Sequence, residues 1–218
     1  MGSEMCIRDR PGSDAQLQWS RTLATAARSE EHVAALRGLL DGSMQVEGLT
    51  VDADARWAFL NGLVALGAAG DAEIDAEAAR DATATGERRA ATARALRPTA
   101  ESKADTWDRA FTDESIPNAV HEAMVAGFWH PAQTELTAPY VDRYFADIDT
   151  IWARRPGEIA KNAVEYLFPK AIEPHTLEAA DAWLAAEGAP APLRRLVSEG
   201  RDGVARALRA RERDAAAE

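Results

Sequence analysis

The sequence predicts an all-α protein, on three observations. Apolar residues recur at spacings of three and four along most of the chain. Capping residues and proline or glycine breakers punctuate them at short intervals. The alternation of β-branched and polar residues that marks strands is nearly absent, whereas alanine and arginine, both strong helix formers, are abundant.

The first ten residues, MGSEMCIRDR, match nothing that follows and resemble translated adapter sequence, so residues 1–10 read as a non-native tail. On that reading Cys6 is not native and the chain proper begins mid-protein near Pro11. From Gln16, a first helix carries Trp19, Leu23 and Ala27 on one face. Ser29 caps a second, with Val33, Leu36 and Leu40, which Asp41-Gly42 stops. Asp52 caps a third bearing Trp57, Leu60 and Val64, ended by Gly67 to Gly70. Asp71 caps a fourth, where Glu73 and Asp75 complement the positive end of the helix dipole. Gly86 to Leu96 makes a fifth, stopped by Pro98, and Glu101 to Phe111 a sixth containing Trp107.

Ser115 caps the next helix, with Pro117 in its first turn and Val120, Met124 and Phe128 on one face; His130-Pro131 ends it. Thr137 and Pro139 open the following one, whose apolar face of Val141, Tyr144, Phe145, Ile148 and Trp152 opposes Asp142, Arg143, Asp147 and Asp149. Three more run from Glu158 to Phe168, Thr176 to Glu187, and about Pro192 to Arg213. Paired helices recur at roughly 35 to 45 residues, the period of HEAT or armadillo units. The predicted architecture is a HEAT/armadillo-like α-solenoid of paired antiparallel helices, whose concave face suits binding.

A net charge of −11 argues against nucleic acid as a partner, since such a partner needs a basic surface to displace counterions. With Cys6 the one cysteine, no disulfide framework or thiolate metal cluster can form, which fits a reducing, cytoplasmic setting. No apolar run approaches 18 residues and no signal pattern opens the chain, so neither membrane insertion nor secretion is indicated. Lysine occurs only at Lys103, Lys161 and Lys170; arginine supplies the other basic side chains, as the codon usage of a G+C-rich genome would.

Chemistry-bearing motifs are sparse. His121-Glu122 invites comparison with the zinc motif HExxH, but position i+4 is Val125 and His130 lies beyond the helix end. His121 therefore reads as a surface or partly buried helix residue, and no metal ligand is assigned. Trp129, His130, Gln133 and Tyr140 project from one inter-helix loop, where they suit a peptide-binding wall; the plainer reading is aromatics bridging adjacent helix pairs. His32 and His175 stand at helix starts and read as incidental. Asp142, Asp147, Asp149 and Glu158 have no spacing that selects a general acid and base and read as a solvated face. No GxSxG elbow, phosphate loop or dinucleotide fingerprint is present, so no catalytic residue is named. The seven arginines from Arg194 to Arg213 interleave with Glu199, Asp202 and Glu212 at spacings that favour intrahelical pairs on an exposed closing helix. A basic patch, or docking on another domain, is the other reading of that tail.

Six segments, taken in order, carry a family resemblance: GLTVDADARWAFLNGLVALG (48–67), DATATGERRAATARALRP (81–98), KADTWDRAF (103–111), GFWHPAQTELTAPYVDRYFADIDTIW (127–152), NAVEYLFP (162–169) and LRRLVSEGRDGVARALRARERDAA (193–216). They resemble the C-terminal part of actinobacterial aminopeptidase N, in the gluzincin zinc metallopeptidase family. That part is a helical domain similar to the one in the endoplasmic-reticulum aminopeptidase.

The resemblance implies a parent exopeptidase that removes N-terminal residues from peptides. It would use zinc held by an HExxH helix and a distal glutamate, with a Gly-Ala-Met-Glu-Asn strand binding the substrate amine. None of those motifs occurs here, so no catalytic or metal residue carries over and the fragment is expected to be inactive. By the same resemblance, residues 11–218 form the C-terminal helical domain, which caps and gates the substrate cavity. Its partners are the parent's catalytic domains in cis and the peptide substrate, and zinc is the parent's cofactor, with none in this chain. One alternative is a stand-alone α-solenoid that binds a partner protein; another is a small enzyme using His121, Glu122 and His130.

Overall fold

The computed structural model describes residues 11–155 and 157–217; the tail MGSEMCIRDR, with Cys6, lies outside the described residues. Among the described residues there are twelve α-helices, one 3-10 turn and no strand, so the chain is all-α as its sequence predicts. Two compact units are present, divided after Ser102.

The first unit holds α1 (Asp14–Ala26), α2 (Glu30–Asp41), α3 (Ala53–Ala65), α4 (Asp71–Arg80), α5 (Ala84–Leu96) and the start of α6 (Ala100–Thr112). Most begin at side-chain caps. Ser29 accepts from the His32 amide at 3.3 Å, Asp52 from Ala55 at 2.8 Å and Thr83 from Gly86 at 3.0 Å. Asp71 does not cap α4. The N-cap is Gly70, whose amide donates to the Glu73 carboxylate at 3.0 Å, because a glutamate on the first turn reaches back to the amide that a glycine leaves bare. Gly42, at φ +83°, ends α2 in the left-handed conformation.

The core of this unit forms around α3, which packs against α1, α2 and α5. Its sequence suggests one apolar face, yet Trp57, Phe59, Leu60, Leu63 and Val64 are all buried, the pattern of a helix enclosed on every side. The Trp57 indole donates to Asp81 at 2.9 Å. Glu77, only 5% exposed, is held by a two-pronged Arg56 guanidinium at 2.8 and 2.6 Å, and Arg56 also donates to the Leu40 carbonyl at 3.0 Å.

Trp19 departs from expectation: it is 46% exposed. The buried stripe of α1 is Gln16, Ser20, Leu23, Ala24 and Ala27, and at about 100° per residue Trp19 falls on its flank. Small residues on that stripe let α1 approach α3 closely, since a Cβ built on Gly62 would lie 2.6 Å from the Ala24 carbonyl oxygen. Gly62→Ala is therefore expected to destabilise the chain by about 1–3 kcal/mol through overpacking, read as a lower urea midpoint at unchanged slope.

The second unit holds the rest of α6, then α7 (Asn118–Ala126), a 3-10 turn (Pro131–Gln133), α8 (Thr134–Thr137), α9 (Tyr140–Arg154), α10 (Gly157–Leu167), α11 (Pro174–Ala185) and α12 (Ala191–Ala215). Helix α10 packs against α7, α9 and α12, and α11 against α9 and α12. Ile148, Ile151, Val164, Leu167 and Val197 fill the core among them, and the Tyr144 hydroxyl donates to the Val164 carbonyl at 2.9 Å.

Two predicted starts shift here. Ser115 is drawn back to Asp113, to whose carboxylate its amide and hydroxyl both donate, and α7 begins at Asn118 with Pro117 as N-cap. Thr137 turns inward, its hydroxyl donating to the Gln133 carbonyl at 3.0 Å, and Pro139 alone precedes α9. Phe128 lies beyond the end of α7 but is fully buried.

Candidate functional site

An aromatic cluster fixes the loop after α7. Trp107 stacks on Phe111 at 5.3 Å and meets Phe128 at 5.4 Å and Tyr140 at 5.0 Å; Phe128 in turn meets Trp129 edge to face at 5.1 Å. The Arg143 guanidinium lies 5.5 Å from the Trp107 ring and donates to Asp108 at 2.7 Å. Asp147 accepts the Trp107 indole N–H at 3.0 Å. Lys103 is enclosed in the same cluster. Its side chain has no exposed surface, its amine donates to the Phe128 carbonyl at 2.7 Å, and burial pulls its pKa from 10.5 down to about 7.

Held in this way, the loop borders a cavity of about 620 Å³. Trp129 and His130 line it from the loop, Glu135 from α8, Lys170 and Glu173 from the α10–α11 link, and Arg211 from α12. The Trp129 indole N–H is buried without a protein partner, so it is the ring and not the N–H that faces the cavity. His130 Nδ1 accepts from the Ala132 amide at 3.2 Å, which caps the 3-10 turn and fixes the ring. Arg211 is tied to the Ile172 carbonyl at 2.7 Å. An apolar wall with both charge signs at its rim suits an amphoteric ligand such as a peptide.

Of the four residues predicted for this site, Trp129 and His130 line the cavity, whereas Gln133 is buried and Tyr140 sits in the aromatic cluster. Lys103, Lys170 and Arg211 escaped sequence reasoning. Only Lys103 carried a signal, since its spacing of four and seven to Trp107 and Ala110 puts it on the buried face of α6.

His121 is fully buried, which corrects the expectation of a surface or partly buried residue. Its Nε2 donates to the Ala110 carbonyl at 3.1 Å, its Nδ1 lacks a partner, and burial, with the Arg155 charge, holds its pKa below the usual histidine value. Glu122 is exposed and accepts from the Tyr166 hydroxyl at 3.0 Å. His121, Glu122 and His130 thus serve three different sets of neighbours. Asp142 pairs with His175 at 2.7 Å and Asp149 accepts from Trp183 at 3.2 Å. Among the described residues, no group of three or more His, Cys, Asp or Glu is placed to hold a metal ion. The zinc implied for the parent finds no ligand set in them, and no chemical step through zinc is assigned to these residues. No helix among the described residues is long and apolar enough to cross a membrane.

Comparison with known proteins bears out the resemblance carried by the six segments. The family model described as ERAP1-like C-terminal domain matches residues 4–206. Aminopeptidase N of Streptomyces lividans is 49% identical over 207 residues, which is 94% of this chain and 24% of that protein. The chain thus spans about a quarter of the length of that relative. With most of its length matched by both comparisons, the chain belongs to the ERAP1-like C-terminal domain family, of the kind found in actinobacterial aminopeptidase N.

Proposed function

We propose that this chain is the C-terminal helical domain of a zinc-dependent, cytoplasmic aminopeptidase that removes N-terminal amino acids from peptides. On this reading it caps the substrate chamber, gates access to it, and is inactive when separated from the catalytic domains that precede it in the parent. The observation that carries the reading is the 49% identity to Streptomyces lividans Aminopeptidase N over 94% of the chain. Residues 11–218 are taken as the domain and residues 1–10 as foreign to it. Helices adjacent in sequence pack together within each unit, α2 with α3, α4 with α5, α9 with α10 and α11 with α12, which supports a HEAT/armadillo-like arrangement of helix pairs.

The cavity beside Trp129 and His130 is the wall that the peptide meets in this proposal. The Trp129 ring packs against the peptide, and the Lys170, Arg211, Glu135 and Glu173 charges meet its polar groups. Gln133 and Tyr140 act behind this wall, holding the loop that presents it.

A chimera tests the proposal. Residues 11–218 replace the matching quarter of Streptomyces lividans Aminopeptidase N, and release of the N-terminal residue is followed on peptides of increasing length. The chimera is expected to be active and the 218-residue chain alone inactive. Trp129→Ala in the chimera should raise KM for longer peptides roughly three- to tenfold, the worth of part of a lost apolar contact, while leaving a single-residue anilide substrate unaffected. Hydrolysis by the chain alone, or a Trp129→Ala effect equal on both substrates, would overturn it.

A further inference from the structure

A second recess, of about 400 Å³, lies where α9, α11 and α12 meet in the second unit. Trp152 and Asp149 reach it from α9, Trp183 from α11 and Glu187 from the link to α12. It shares no lining residue with the cavity beside Trp129, and its chemistry is one-sided: two indoles, two carboxylates and no basic side chain among the residues that line it. Arg194 approaches nearby, but its guanidinium is committed to the Leu184 and Ala186 carbonyls at the end of α11.

One bond orients two of these groups. Trp183 Nε1 donates to Asp149 at 3.2 Å, which sets the carboxylate at the edge of the indole in the recess that both residues line. An indole face carries negative potential and is the best of the aromatic partners for a cation. A planar guanidinium stacks on such a face and donates in its own plane to carboxylates at the edge, whereas an ammonium is a compact, strongly hydrated point charge. The volume admits one long side chain and its flanking backbone, and the net charge of −11 draws basic segments toward the surface.

We propose that Trp152, Trp183, Asp149 and Glu187 form a binding site for the guanidinium of an arginine side chain presented by an extended segment of a separate polypeptide. The site does not depend on the aminopeptidase reading.

The test is a titration of the 218-residue chain with acetyl-Gly-Arg-Gly-amide, reading the indole N–H signals by proton–nitrogen NMR. Trp152→Phe and Trp183→Phe assign those signals. The Trp152 and Trp183 signals are expected to move saturably with a Kd of roughly millimolar order, several-fold more tightly than with the lysine peptide, and not at all with the glutamine peptide. Glu187→Gln, at an exposed position where folding is not at stake, should weaken binding about threefold, and adding Asp149→Asn about tenfold. Equal shifts with the glutamine peptide, equal affinity for the lysine peptide, or an unchanged Kd in Glu187→Gln would each overturn the proposal.

Discussion

Lys103→Met is expected to make the chain more stable at pH 7 and less stable near pH 10.5, with a crossover between. The folded-state pKa of Lys103 is about 7 against 10.5 when unfolded. As pH falls through this window the unfolded chain takes up a proton that the buried amine refuses, so stability is lost from about pH 10.5 down to about 7. Below that the folded amine is protonated as well and the contribution is constant. At about 1.4 kcal/mol per pH unit, the window is worth on the order of 4–5 kcal/mol. Methionine removes all of this but strips the Phe128 carbonyl of its donor, a loss of about 1–3 kcal/mol at every pH. Urea unfolding of both chains at pH 7, 8.5 and 10 checks it: the wild-type chain should gain several kcal/mol on the variant as pH rises. A difference independent of pH would mean that Lys103 is solvated.

Arg56→Met should destabilise the chain by about 3–5 kcal/mol, because it leaves the Glu77 carboxylate buried and without its two-pronged partner. Arg80 stands 3.6 Å from the same carboxylate but is two-thirds exposed and contributes little. The double variant Arg56→Met with Glu77→Leu should recover most of the loss, since apolar side chains of similar volume suit the site once both charges are gone. Urea unfolding of the four chains in a double-mutant cycle measures this. If the double variant is no more stable than Arg56→Met, the Leu40 carbonyl contact of Arg56, and not the ion pair, holds α2 to α3.

These positions also mark how far the sequence could be read. Local signals worked: Ser29, Asp52 and Gly42 bound their helices as expected, because a cap or a left-handed glycine acts within a few residues. The starts at Asp71 and Ser115 were misplaced because a nearby carboxylate competed, Glu73 for the Gly70 amide and Asp113 for Ser115. Burial was harder to see. Trp19 reads as core and His121 as surface or partly buried, yet each is settled by which neighbouring helix arrives. In the cavity, Trp129 and His130 were legible as loop residues after a helix end. Lys170 and Arg211 come from elements 40 and more residues away and share no pattern with them.

The arginines have a consequence of another kind. Among the described residues, five of them lend their guanidinium to a main-chain oxygen at least 8 residues away, in or beside a helix end or link: Arg37 to Ala68, Arg56 to Leu40, Arg155 to Asp113, Arg194 to Leu184 and Ala186, and Arg211 to Ile172. A planar fork serves two acceptors at once, as Arg194 does, where a lysine head is a single charge on a flexible stem. A lineage drifting toward A+T would find lysine acceptable at exposed Arg206 and Arg209, but at these five positions the exchange would open the joints between helices, so mutational pressure on the genome and the demands of the backbone part company there.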